Sequence, residues 1–210
     1  MGGMMKKEMN KNDRRYAYTH GVIKDAMLEL LHESSFDEVS VSALCRQAQI
    51  GRATFYTHYD NLTEVIEELV EDAIKATDRS SAKSLDGMRE MARYLSTDHG
   101  FRELESKILL LPVCQRVADN PKYNVLFKDS SLSDYILSMI YRQEKDYQIA
   151  ELMKYGMTAK EADMLFTYML TGAFAVNRAM GWKKDEEWMR VQRIILNFVC
   201  GGMDAVEKLK

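Results

Sequence analysis

The chain has 210 residues, 46% of them apolar and 29% charged, with a net charge of −3. That balance is ordinary for a globular chain long enough to bury a real core in one or two domains. Two prolines in the whole chain argue against a many-stranded β fold, and no apolar run approaches the roughly 18 residues of a membrane span.

The opening stretch, MGGMMKKEMNKNDRR, is basic but lacks the apolar core of a secretory signal. Residues 1–12 are expected to form a flexible basic arm. Residues 5–24 hold Lys6, Lys7, Lys11, Arg14, Arg15 and Lys24 against Glu8 and Asp13, so positive charge gathers locally despite the acidic total. Such an arm is either a solvated tail or a strand laid along a nucleic-acid backbone or minor groove. Periodicity predicts a first helix over 13–33, with Val22, Ile23, Ala26, Met27, Leu30 and Leu31 as its apolar stripe. Ser34-Ser35 and Asp37-Glu38 then make a loop.

Ser40 is placed as the N-cap of a short second helix whose apolar residues, Val41, Leu44 and Ala48, recur at three and four. Gln49-Ile50-Gly51 interrupts it, with Gly51 supplying backbone freedom or a weak cap. A third helix can run from Arg52 to Tyr59, with Phe55 and Tyr59 on one inward face. Ala53 and Thr57 then point away from the core, with Arg52 and Tyr56 on one flank and Thr54 and His58 on the other. Short side chains at the centre and hydrogen-bonding groups on the flanks are what a helix in the DNA major groove needs. A solvated face of a generic helical hairpin would carry Lys and Glu instead.

The stretch from Thr19 to Ile74 resembles the DNA-binding domain of the TetR/AcrR family of bacterial regulators. The matching residues are Thr19, Ile23 and Ala26, then Phe36, Ser40-Val41, Thr54-Phe55-Tyr56 and His58-Tyr59. The resemblance implies an all-α fold of about nine helices, a three-helix helix-turn-helix domain followed by a helical domain for effector binding and dimerisation. It also implies contact with double-stranded DNA, usually a palindromic operator, by a homodimeric repressor in the bacterial cytoplasm. Arg15, Ser40, Ser42, Arg52, Ala53, Thr54, Tyr56, Thr57 and His58 are the expected DNA-contacting residues. The family usually has Gly where Gln49 stands, Ser or Thr at Gly51, often Gly at Ala53, and a phosphate-contacting Lys at Leu62.

A fourth helix is expected from Asn61, with Glu64 closing a capping box and Leu62, Val65, Ile66, Leu69, Val70 and Ala73 as its stripe. Its acidic residues, Glu64, Glu67, Glu68, Glu71 and Asp72, would face solvent or the rest of the protein. The helix-turn-helix domain is assigned to residues 13–76, and the polar run 77–84 opens an effector and dimerisation domain over 77–210. Further helices are expected near 85–97, 101–119, 132–153, 159–181 and 186–208. Leu165, Met169, Gly172, Val176 and Met180 form one late stripe. Trp188, Val191, Ile195, Phe198, Gly202, Val206 and Leu209 form another. Both contain small residues that let helices approach closely. Leu165, Met169, Gly172, Val176, Val191, Ile195, Phe198 and Gly202 are therefore the expected dimer interface, the other use of the stripes being the domain's own core.

The same region is rich in Met and aromatic residues, Met88, Met91, Phe101, Met164 and Phe166 among them, which suit either a core or a pocket for a small apolar or amphipathic effector. Tyr94, Phe127, Tyr135, Met139, Tyr168, Phe174, Asn177 and Arg178 are the candidate ligand contacts. The three cysteines, Cys45, Cys114 and Cys200, lack metal-ligand spacing and are expected to be buried thiols. No metal or cofactor is expected. A second reading, a helical protein-interaction module with a degenerate helix-turn-helix and no inducer, draws on Leu62 and the overall acidity. An enzyme is disfavoured: His20, His32, His58 and His99 are scattered, and no nucleophile, phosphate-loop or dinucleotide motif occurs.

Overall fold

The computed structural model describes residues 11–77, 85–95 and 113–207. Among these the architecture is all-α, with ten α-helices and no strand. In chain order they are α1 (Lys11–Glu33), α2 (Val41–Gln47), α3 (Arg52–His58), α4 (Leu62–Thr77), α5 (Leu85–Leu95), α6 (Val113–Ala118), α7 (Asn124–Lys128), α8 (Ser133–Met153), α9 (Ala159–Ala179) and α10 (Glu186–Glu207). One helix more is described than the nine or so expected. It is α7, whose five residues are too few to display a helical period. Residues 1–10 of the expected arm, the run 78–84, His99, Phe101 and Leu209 lie outside the described residues. Lys11 and Asn12, expected in the arm, are already helical.

The chain divides within α4, one unit ending at Leu69 and the second beginning at Val70. In the first, α1 packs on α2 and α3 around a core of Ile23, Met27, Leu44, Phe55, Val65 and Ile66, all fully buried. The local signals act as the sequence predicts. The Ser40 side chain accepts from the Ala43 amide at 3.1 Å and caps α2. Asn61 Oδ1 accepts from the Glu64 amide at 3.1 Å, while the Glu64 carboxylate accepts from the Asp60 amide at 2.8 Å, one residue outside a strict capping box. Of the two roles expected for Gly51, the turn uses the weak cap and not the backbone freedom. Gly51 caps α3 with φ −74°, which any residue adopts, whereas Gln49 takes the left-handed conformation at φ 53°.

In the second unit, the connection after α8 folds α9 back onto it, and α5 packs on α10. Thr158 and Glu161 form a full capping box at the start of α9. Phe127, Phe174 and Trp182 meet edge-to-face and tilted, at centroid distances of 5.2–6.1 Å, and Trp182 Nε1 donates to the Phe127 carbonyl at 2.9 Å. Cys45, Cys114 and Cys200 are free and buried, as expected. No helix of the described residues is long and apolar enough to cross a membrane.

Candidate functional site

Helix α3 has two sharply different faces. Phe55 is fully buried and Tyr59, its C-cap, is 5% exposed, and these two anchor the helix. Arg52, Ala53, Thr54, Tyr56 and Thr57 are all exposed. The Tyr56 ring meets the Phe55 ring edge-to-face at 5.3 Å. It is 49% exposed, so packing sets its direction and leaves the phenol wet. Thr57 donates its hydroxyl to the Ala53 carbonyl at 2.9 Å, so toward a ligand it offers an acceptor rather than a donor. Arg15, Ser40 and Ser42 are exposed as well, with the Ser40 oxygen already occupied by its cap.

His58 departs from the expected exposed flank. Its ring lies 4.7 Å from that of Tyr16 and 5.1 Å from that of His20, and its Nδ1 is buried without a hydrogen bond. Burial, and then charge on His20, push its pKa below the ordinary imidazole value, so the neutral ring is favoured here. The physical reason is the short helix. At seven residues, its last turn is pulled inward with Tyr59, and His58 follows.

A polar cluster that the sequence reading missed fixes this geometry. From α4, Glu68 accepts from His20 Nδ1 at 2.7 Å, from Lys24 Nζ at 2.8 Å, and from the Tyr59 hydroxyl in a short contact. Tyr59 Oη also lies 2.8 Å from His20 Nδ1. Burial alone would raise the Glu68 pKa. Hydrogen bonds from Lys24, Tyr59 and His20, with the Lys24 charge, outweigh it and hold the carboxyl down to about 2. One carboxylate thus ties α1 and the end of α3 to α4. Glu68 was grouped with the outward acids because its partners stand 9, 44 and 48 residues away, beyond any local pattern.

The second unit holds a cavity of about 400 Å³, within the range of small-molecule sites. Its wall is mostly apolar, with Met88 and Met91 from α5, Ile140 and Leu152 from α8, Phe166 and Val176 from α9, and Trp188 and Ile195 from α10. Arg116, Glu144, Gln148 and Gln192 add polar groups. Of the eight candidate ligand contacts only Tyr168 lies on this wall. Phe127 and Phe174 are spent on the aromatic trio, and Met139 is plain core. Asn177, 1% exposed, is structural: its Oδ1 accepts from Trp188 Nε1 at 2.7 Å and from Gln192 Nε2 at 3.4 Å, and its Nδ2 donates to the Ala173 carbonyl. Tyr94 packs beside Met91, Leu95 and Trp188, Tyr135 is half-buried off the wall, and Arg178 is exposed.

One face of α9 and α10 is bare hydrocarbon. Met164, Tyr168, Ile194 and Phe198 are 56–71% exposed, and Gly172, Gly201 and Gly202 are exposed beside them. A methyl group built on any of these glycines meets nothing within 4 Å. Of the residues expected at an interface, Gly172, Phe198 and Gly202 are exposed. Leu165, Met169, Val176, Val191 and Ile195 are half-buried instead, and the exposed face runs through Met164, Tyr168 and Ile194. The sequence stripes averaged the inward and outward rows because both are apolar. Among the described residues no cluster of ligating side chains could hold a metal ion.

Comparison with known proteins places the first unit. The family model described as bacterial regulatory proteins, tetR family, matches residues 23–69. A protein of Bacillus subtilis (strain 168), named as the uncharacterized HTH-type transcriptional regulator YxbF, is 25% identical over 136 residues. That match covers 64% of this chain and about a third (33%) of the relative's own length. The solved structure of the dihydroxyacetone kinase operon activator DhaS is 19% identical, with a TM-score of 0.42 over 91% of this chain and 97% of that one.

Proposed function

We propose, for a chain whose N-terminal helix-turn-helix belongs to the tetR family of bacterial regulatory proteins, a homodimeric repressor that leaves a palindromic operator when a small molecule binds. The match over residues 23–69 supports a DNA-binding transcriptional regulator. The repressing sign, the dimer and the effector are our reading. The observation that carries it is the exposed row Arg52, Ala53, Thr54, Tyr56 and Thr57, held rigid from behind by Phe55 and Tyr59. Ala53 allows close approach to base edges, Arg52 and Thr54 read them, and Tyr56 reaches phosphate. Leu62 makes no phosphate contact, so this role falls more heavily on Tyr56 and the basic N-terminal segment.

The bare face through Met164, Tyr168, Ile194 and Phe198 supports a second copy as partner, since monomers rarely leave such patches wet. Two recognition helices on one two-fold axis match a palindrome and add their energies. Tyr168, Ile194 and Phe198 also line the cavity, so a ligand there touches the dimer helices directly. Shifting them alters the separation of the two reading heads, and the mismatch with half-site spacing releases the operator. We place the protein in the cytoplasm, where its operator is.

Titration of a palindromic fragment from upstream of the chain's own gene against random duplex tests the reading. Preference for the palindrome and a log–log salt slope of several units are expected. Tyr56→Ala is expected to weaken all duplexes alike, and changes at Arg52 or Thr54 to shift base preference. A slope near zero, or equal affinity for random DNA, refutes it.

A further inference from the structure

We propose that Tyr16, in the second turn of α1, is a positioning residue for the recognition helix, its ring clamping His58 at the end of α3 against His20. Its part in DNA reading rests on the function proposed above, whereas its part in placing α3 does not. The three rings form a closed triangle. Centroids lie 4.2 Å apart for Tyr16 and His20, 4.7 Å for Tyr16 and His58, and 5.1 Å for His20 and His58. His20 is the fixed member, since its Nδ1 lies 2.7 Å from Glu68 Oε2 and 2.8 Å from Tyr59 Oη. His20 Nε2 and His58 Nδ1 are both buried without a hydrogen bond among the described residues. Ring packing therefore holds the junction, and Tyr16 supplies two sides of the triangle. Tyr16 and His20 both precede residue 23, where the family match begins, so that match does not assign the clamp.

The clamp matters because α3 is seven residues long and its core anchors, Phe55 and Tyr59, lie one turn apart on one face. Two anchors on one line hold a short helix in place but let it roll about that line. His58 stands about 60° round the axis from Phe55, so holding it stops the roll. A roll carries Arg52, Ala53 and Thr54 off the base edges they read, while contacts to the repeating phosphate backbone tolerate it. Tyr16 itself is 52% exposed, so removing its ring takes little from the core.

Tyr16→Ala and Tyr16→Phe in the full chain provide the test, with NMR following the His58 imidazole and the amides of residues 56–59. The titratable and charged groups around His58 are Tyr16 and His20 from α1, with Lys24 a turn further on, and Glu68 from α4. Tyr59 and the exposed Asp60 follow it in the chain. The Glu68 carboxylate is engaged by His20, Lys24 and Tyr59. In the wild-type chain His58 is expected to titrate below the ordinary 6.5, because burial disfavours the imidazolium. Tyr16→Ala opens the ring to water and is expected to raise that midpoint toward 6.5. It should also speed exchange of the 56–59 amides about three- to tenfold. Preference for the palindrome over random duplex should fall by about the same factor, with affinity for random duplex kept within about twofold. Tyr16→Phe keeps the ring and is expected to match the wild type throughout. An unmoved His58 midpoint in folded Tyr16→Ala, Tyr16→Phe behaving as Tyr16→Ala, or an undiminished preference for the palindrome would each overturn the proposal. Should Tyr16→Ala not fold, Tyr16→Leu, which also lacks the ring, takes its place. A wild-type chain without preference for the palindrome refutes the DNA reading, and the His58 midpoint and amide exchange then decide the clamp by themselves.

Discussion

Removing the Glu68 carboxylate tests what holds the recognition helix in place. Glu68→Ala takes one acceptor from His20, Lys24 and Tyr59 together. A neutral hydrogen bond contributes about 0.5–1.5 kcal/mol net and a charged one about 1.5–3. The side chains of His20, Lys24 and Glu68 are 13%, 15% and 32% exposed, so water re-enters and the simple total must be discounted. We expect about 2–3 kcal/mol for the first unit, or a midpoint lower by about 10–20 °C at the size of a small domain. Both tryptophans, at positions 182 and 188, lie in the second unit, so their fluorescence will not report it. Hydrogen exchange will: the amides of residues 52–59 are expected to exchange about 30- to 150-fold faster. Acid adds an independent check. With the folded pKa at about 2 against an ordinary 4.5, this carboxylate stabilises fully above about 4.5, and that contribution is lost as pH falls from 4.5 toward 2. Glu68→Gln should lose this part of the acid response. A Glu68→Ala chain within 0.5 kcal/mol of wild type, or an unchanged acid profile in Glu68→Gln, would refute the reasoning.

Gln49→Gly should stabilise the first unit by about 0.5–1 kcal/mol in urea titration, since relief of the left-handed strain exceeds the added freedom of the unfolded chain. A loss of stability would mean that Gln49 makes a compensating contact. Asn177→Ala should cost about 2 kcal/mol in the second unit and change Trp188 emission, because a buried indole N–H loses its acceptor; unaltered emission would contradict that. Phe198→Lys should leave the midpoint of the second unit within about 0.5 kcal/mol of wild type. On sedimentation it should convert dimer to monomer, and persistence of the dimer at micromolar concentration would count against the α9–α10 face.

What could be read from sequence was whatever is local. The caps at Ser40 and Asn61, the inward pair Phe55 and Tyr59, and the outward row of α3 follow from spacings of three and four residues. What escaped depends on distant pairing or on sums of nearby choices. Glu68 reads as one more acid on an acidic helix until His20 and Lys24 are brought to it. Asn177 looks like a polar ligand group on an apolar helix, yet its partner Trp188 lies on the next helix. The cavity wall was misread in the same way. Aromatic residues were taken as candidates, but Phe127 and Phe174 pair with Trp182, and the wall falls to Met88, Met91 and Phe166 together with the charged Arg116 and Glu144.

The three glycines on the bare face of α9 and α10 have a consequence for descent. Larger side chains there would leave the solitary chain undisturbed, because no neighbour stands in their way. On the proposed dimer they would collide only across the two-fold axis. After gene duplication, one substitution at Gly201 or Gly202 could therefore stop sister proteins from mixing their subunits while each kept its fold, its operator and its ligand.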